Sequence, residues 1–147
     1  MLAVVRPTSW DPILFLHVLG ASILFGALAT VTLLAVVGQR RPEHPRLARA
    51  ALWTLVGVAA PGWLLMYIAG YATKSKEHLG NHIHWIQVPE AIIHAGLLLL
   101  LAAIGIAFSW SRRPAGGWQT RSLVVVSSSF IVALAIAWWV MTAKPGL

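Results

Sequence analysis

Apolar residues are concentrated in four long runs, and polar residues are confined to the segments between them. The runs cover residues 12–38, 50–70, 89–109 and 122–141. Each is close to the roughly 20 apolar residues that an α-helix needs to cross the hydrocarbon core of a bilayer. The pattern predicts an all-α integral membrane protein in which residues 1–147 form a single transmembrane domain of four spans.

The segments between the runs are short and cover residues 39–49, 71–88 and 110–121. Short connections make consecutive helices antiparallel neighbours, so we expect a four-helix bundle with up-down-up-down topology. The first run begins after a single basic residue, Arg6, and continues to Val37. It is therefore interpreted as an uncleaved span and not as a secretory signal.

One proline lies in the middle of the second run. Pro61, followed by Gly62, removes a backbone hydrogen bond from the helix and predicts a kink at this point.

Composition supports the membrane assignment. Hydrophobic residues make up 59% of the chain and charged residues only 10%, whereas about a quarter of a soluble domain is charged. This balance excludes a soluble globular enzyme. The chain has no cysteine, which excludes disulfides, zinc–thiolate sites, iron–sulfur clusters and covalently attached haem.

The basic residues are distributed unevenly between the two predicted sides of the membrane. Seven lie in the first and third connections: Arg40, Arg41, Arg46, Arg49, Arg112, Arg113 and Arg121. Four lie on the opposite side: Arg6, Lys74, Lys76 and Lys144. Because basic residues in short loops mark the cytoplasmic side, both termini and the middle loop are predicted to lie outside a bacterial cytoplasmic (inner) membrane. The net charge of +7 is then explained by anionic headgroups, and nucleic acid is not an expected partner.

Three ionisable residues within the predicted spans stand out, because such groups cost free energy in hydrocarbon unless they are partnered. They are His17, Glu90 and His94. Each histidine follows a helix-opening proline by five residues, Pro12 in the first span and Pro89 in the third. At 1.5 Å per residue, both imidazoles are expected roughly 7 to 8 Å below the same membrane face.

Two imidazoles at one level suit the axial ligation of one b-type haem between the first and third helices. Gly20 and Gly96 would make room for the flat ring. The carboxylate of Glu90 would accept the N–H of His94, or would carry protons from outside in connection with a quinone. The alternative is that His17 and His94 are satisfied by backbone carbonyls or by each other.

Three further histidines fall at the end of the loop between the second and third runs: His78, His82 and His84. Together with Glu77 they form a weaker candidate site for copper or zinc. A metal-handling protein would pass the ion to His17 and to Met66 or Met141. The small number of methionines argues against this route, because Cu(I) normally attracts more thioether ligands.

Three motifs suggest a family. They are L-H-V-L-G-A-S-I-L-F-G-A-L over residues 16–28, P-G-W-L-L-M from Pro61 and W-W-V-M-T-A-K-P ending at Pro145. Together they resemble small bacterial four-span membrane proteins that are loosely similar to the copper-resistance-D membrane domain. Members of that group have a histidine early in the first span, followed by small residues and glycine, and His17, Gly20 and Gly26 match this pattern. The resemblance implies a haem or copper link through His17. A weaker similarity is to membrane b-type cytochromes.

These patterns predict a membrane-embedded electron-transfer protein, or the membrane subunit of a redox complex, that holds one b-type haem. No nucleophile and base, phosphate loop or carboxylate pair is visible, so catalysis by this chain alone is not expected. The alternatives are a copper-handling or transport protein and a cofactor-free structural subunit. Expected partners are the lipid bilayer, a quinone or redox protein, and further copies of the chain or a larger complex.

Overall fold

The computed structural model describes residues 11–40, 45–76, 84–113 and 117–143. Over these residues the chain is helical apart from Arg113. The four helices are α1 (Asp11–Arg40), α2 (Pro45–Lys76), α3 (His84–Arg112) and α4 (Gly117–Ala143). Each is long and apolar enough to cross a membrane, which confirms the prediction of a four-helix, multi-pass protein. The second and third helices are longer than their apolar runs, because segments of mixed polarity extend them at both ends.

The predicted disturbance at Pro61 takes the form of a π-helical turn. This turn covers Leu55–Ala59, and the N–H of Ala60 donates to the carbonyl of Leu55, five residues earlier. In a regular α-helix, the ring of Pro61 would press on the carbonyl of Gly57, and that carbonyl would lose its hydrogen-bond donor. A wider turn directly before a proline is a recognised way for a helix to continue past it.

α1 packs along both α2 and α4, and α3 packs along α4. The shared core consists mainly of aliphatic side chains from all four helices, among them Leu24, Leu28, Val31, Leu55, Leu100, Leu123 and Phe130. Many other large apolar side chains are exposed, as expected of a bundle whose outer surface faces lipid. Between α1 and α4, the hydroxyls of Thr32 and Ser127 lie 2.7 Å apart and form a hydrogen bond in this core.

α1 and α2 approach each other backbone to backbone at two glycines. A Cβ atom at Gly20 would lie only 2.5 Å from the backbone nitrogen of Met66. A Cβ atom at Gly62 would lie 3.1 Å from the backbone nitrogen of Leu24. Small residues at such crossings are the usual means by which membrane helices come close together. The part of α2 that follows the π-helical turn therefore packs closely against α1.

The same part of α2 is separated from α3. Among the described residues, the close backbone approaches between these helices are concentrated in residues 45–59 of α2. Beyond the π-helical turn, side chains bridge the gap, and we call this region the α2–α3 cleft. Its members are Trp63, Tyr67 and Lys74 on α2 with Glu90 and His94 on α3.

The bundle has two chemically different ends. At one end the ring of Trp110 packs where a side chain at Gly38 would lie, and this basic end carries exposed arginines: Arg40, Arg46, Arg49, Arg112, Arg113 and Arg121. At the other end, His17 contacts α2 and His94 lies beside Tyr67. We call this the histidine end.

Candidate functional site

His17 is held in one orientation between α1 and α2. Its Nδ1 lies 2.8 Å from the backbone oxygen of Met66, and its ring occupies the space where a Cβ atom at Gly70 would lie. Because a carbonyl oxygen only accepts, Nδ1 must carry the proton. In the neutral imidazole, Nε2 is then left as an acceptor or metal ligand. The imidazole itself is half-buried at the histidine end of the bundle.

His94 has the same tautomer but a different environment. Its Nδ1 donates to the backbone oxygen of Glu90 at 2.7 Å, so in the neutral imidazole Nε2 is again the acceptor. The side chain is exposed, and its ring meets that of Tyr67 edge-on at 6.2 Å with an interplanar angle of 85°. No other described residue forms a hydrogen bond with it. His94 therefore presents an acceptor nitrogen at the surface of the α2–α3 cleft.

The structure places His17 and His94 at the same end of the bundle but does not bring them together. His17 lies in the α1–α2 interface. His94 is turned by about 120° around α3 from the buried Leu100, six residues further along. No contact between the two imidazoles occurs among the described residues. The alternative in which backbone carbonyls satisfy both rings agrees with the hydrogen bonds of Nδ1.

The expectation that Gly20 and Gly96 make room for a cofactor is wrong. The backbone of α2 fills the space at Gly20, with the Met66 nitrogen 2.5 Å from the Cβ position. The ring of Phe130 fills the space at Gly96, with two carbons at 2.6 and 2.7 Å. Both glycines serve helix packing. A glycine in a span permits a close approach, but its sequence position does not say whether other atoms approach or which ones do.

The expected bond between the Glu90 carboxylate and His94 is also not formed. The backbone oxygen of Glu90 takes the imidazole proton, while its carboxylate oxygens lie 2.9 and 3.0 Å from the ammonium nitrogen of Lys74. The side chains of Lys74 and Glu90 are 20% and 39% exposed. Sequence reasoning placed Lys74 in the outer loop and missed this ion pair.

An aromatic ladder on α2 was also missed. Trp63, Tyr67 and Tyr71 are spaced four residues apart and stack along one face. Ring centroids are 5.2 Å apart in the first pair and 6.4 Å in the second, and Trp63 Nε1 donates to the backbone oxygen of Ile93 at 3.3 Å. The i, i+4, i+8 spacing was the available signal.

The candidate copper site of the loop lies outside the described residues. This holds for Glu77, His78 and His82, and for the side chain of His84, whose backbone begins α3. Within the described ranges, no group of three histidine or acidic side chains is arranged to hold a metal ion. Met66 is buried and Met141 lies exposed near the end of α4.

The residues fit a b-type haem only in part. Nε2 of His17 has the protonation state and the supporting hydrogen bond expected of an iron ligand. The described side chains do not form a bis-imidazole clamp between α1 and α3, because His94 is on the exposed side of α3 and protein atoms fill the spaces at both glycines.

Comparison of the chain with known protein families, with curated proteins and with solved structures finds no match.

Proposed function

We propose that the protein is a membrane-embedded electron-transfer protein, or the membrane subunit of a redox complex, in which His17 ligates the iron of one b-type haem. The observation that carries this proposal is the hydrogen bond from His17 Nδ1 to the Met66 carbonyl. Metal-binding histidines almost always donate their second ring nitrogen to a carbonyl or carboxylate, which fixes the tautomer and orients the ring. A chain without cysteine would hold the haem without a covalent bond.

Each residue around His17 has a separate task in this proposal. The Met66 carbonyl keeps the proton on Nδ1, so Nε2 retains its lone pair. Gly70 lets the imidazole lie flat against α2, because a larger residue would displace the ring. When bound, the haem supplies reversible one-electron transfer. The apolar residues of the surrounding spans exclude water and so influence the reduction potential.

We further propose that the helices run up-down-up-down in a bacterial cytoplasmic membrane, with both termini outside. The clustering of exposed arginines at the basic end supports a cytoplasmic position for that end. The histidine end then faces the outside.

Visible absorption spectra of the purified full-length protein test the haem proposal. We expect the wild type, expressed with sufficient haem, to show a Soret band that shifts on reduction with dithionite. The band should be lost in His17→Ala and retained in His94→Ala, which is the matched control. Loss in both variants would instead support the bis-histidine site predicted from the sequence. A colourless wild type would contradict the proposal, and metal analysis would then separate the metal-handling alternative from a cofactor-free structural subunit.

A further inference from the structure

The α2–α3 cleft combines three kinds of group that membrane helices rarely bring together. Tyr67 is stacked between Trp63 and Tyr71 in the aromatic ladder, whose last ring, Tyr71, is exposed, and His94 offers an acceptor nitrogen beside Tyr67. One turn before His94, Glu90 is paired with Lys74. Polar groups inside a span are costly and mark functional sites by default.

The cleft is accessible from the lipid side. His94, Leu97 and Leu101 share one face of α3, since they are spaced three and four residues apart. Both leucines are exposed. A molecule with its polar headgroup at His94 could therefore place an apolar tail along this face toward the basic end, without leaving the hydrocarbon.

We propose that the α2–α3 cleft binds the headgroup of an isoprenoid quinol. The unprotonated Nε2 of His94 accepts a hydrogen bond from a quinol hydroxyl, the quinol ring packs on the aromatic ladder, and the tail follows Leu97 and Leu101. This ligand has the three properties that the cleft matches: a flat ring, a hydroxyl donor and a long apolar chain. A phospholipid would use the apolar face but has no flat ring for Tyr67.

The tautomer of His94 makes the proposal specific for the reduced form. In the neutral ring with the proton on Nδ1, Nε2 accepts but does not donate. A quinol hydroxyl satisfies this nitrogen directly, whereas a quinone offers only carbonyl acceptors. Removing the imidazole should therefore weaken binding of the quinol more than binding of the quinone.

The quinol is a substrate class for the proposed redox function, and this inference rests on that function. The binding measurement itself does not depend on haem. The probe is decylubiquinol, titrated anaerobically into the full-length protein in nanodiscs and followed by calorimetry. We expect His94→Ala to raise the Kd about tenfold, the effect of losing one hydrogen bond. Tyr67→Ala should also weaken binding, because it removes the middle ring and so interrupts the aromatic ladder.

Two control variants keep the result interpretable. Phe25→Ala removes an exposed aromatic ring from α1, away from the cleft, and should leave the Kd within about twofold. His17→Ala should remove the haem spectrum but leave decylubiquinol binding intact, so failure of the haem proposal and failure of this one are distinguishable. Wild-type affinity in a folded His94→Ala protein would overturn the proposal. Equal competition by n-decylbenzene would overturn it as well, because the site would then recognise only an apolar chain.

Discussion

The ammonium nitrogen of Lys74 on α2 lies 2.9 and 3.0 Å from the two carboxylate oxygens of Glu90 on α3. This ion pair joins the helices in the region where their backbones diverge, and it lies one helical turn from His94. The ion pair connects α2 and α3 across the α2–α3 cleft, and it places two charged groups beside the proposed quinol site.

Reversing one charge of the Lys74–Glu90 ion pair should destabilise the protein, and reversing both charges should restore its stability. Lys74→Glu places two carboxylates together and is expected to lower the free energy of unfolding by about 0.5–1 kcal/mol, since the pair is partly exposed. The double variant Lys74→Glu with Glu90→Lys should recover most of this loss. Thermal unfolding in detergent at low salt measures both effects. Lys76→Glu, at an exposed position two residues away, is the matched control, and equal destabilisation by that variant would contradict the role of the pair.

The contact between α1 and α2 at Gly20 predicts a strong position dependence for glycine substitutions. Gly20→Ala would place a methyl group 2.5 Å from the backbone nitrogen of Met66, and a helix backbone cannot yield as a side-chain tip can. We expect a loss of about 1–3 kcal/mol in the free energy of unfolding. In the same helix, Gly26 has open space around its Cβ position, so Gly26→Ala should be neutral or should stabilise by up to about 1 kcal/mol. Similar unfolding temperatures for the two variants would rule out the close crossing.

The number and type of the helices could be predicted because each apolar run is long enough to determine its own structure. The ends of α2 and α3 could not, since the residues that extend them mix polar and apolar types and carry no signal of a span. Pro61 predicted a disturbance, but not that it would be a π-helical turn. Hydrophobicity identifies the part of a helix in hydrocarbon and says little about the rest.

The candidate site was less predictable because it depends on helix rotation. His17 and His94 could be singled out as ionisable residues within spans, yet spans that are apolar around most of their circumference do not show which way a histidine points. Gly20 and Gly70 affect how α1 is rotated against α2, because Gly20 admits the backbone of Met66 and Gly70 admits the ring of His17. Lys74 was missed because its partner is 16 residues away on another helix.

The hydrogen bond between Thr32 and Ser127 predicts a measurable coupling between α1 and α4. Ser127 is fully buried, and when its hydroxyl donates to the backbone oxygen of Leu123 at 2.6 Å it accepts from the hydroxyl of Thr32. Ser127→Ala should cost about 0.6 kcal/mol and at most about 1.7 kcal/mol, the mean and the maximum measured for such bonds between membrane helices. A double-mutant cycle with Thr32→Val isolates the pairwise contribution. Ser129→Ala, at an exposed position of the same helix, should have little effect. Strict additivity in the cycle would show that the two hydroxyls do not interact.

Chemical labelling can test the proposed orientation directly, because a chain without cysteine gives no background reaction with maleimides. Gln39→Cys lies at an exposed position at the basic end of α1, and Ser75→Cys at an exposed position at the histidine end of α2. With basic residues retained on the cytoplasmic side, a membrane-impermeant maleimide should label Ser75→Cys in intact spheroplasts. Gln39→Cys should react only after permeabilisation. The reverse pattern would place the histidine end in the cytoplasm, and the Lys74–Glu90 pair would then face the cytoplasmic proton pool.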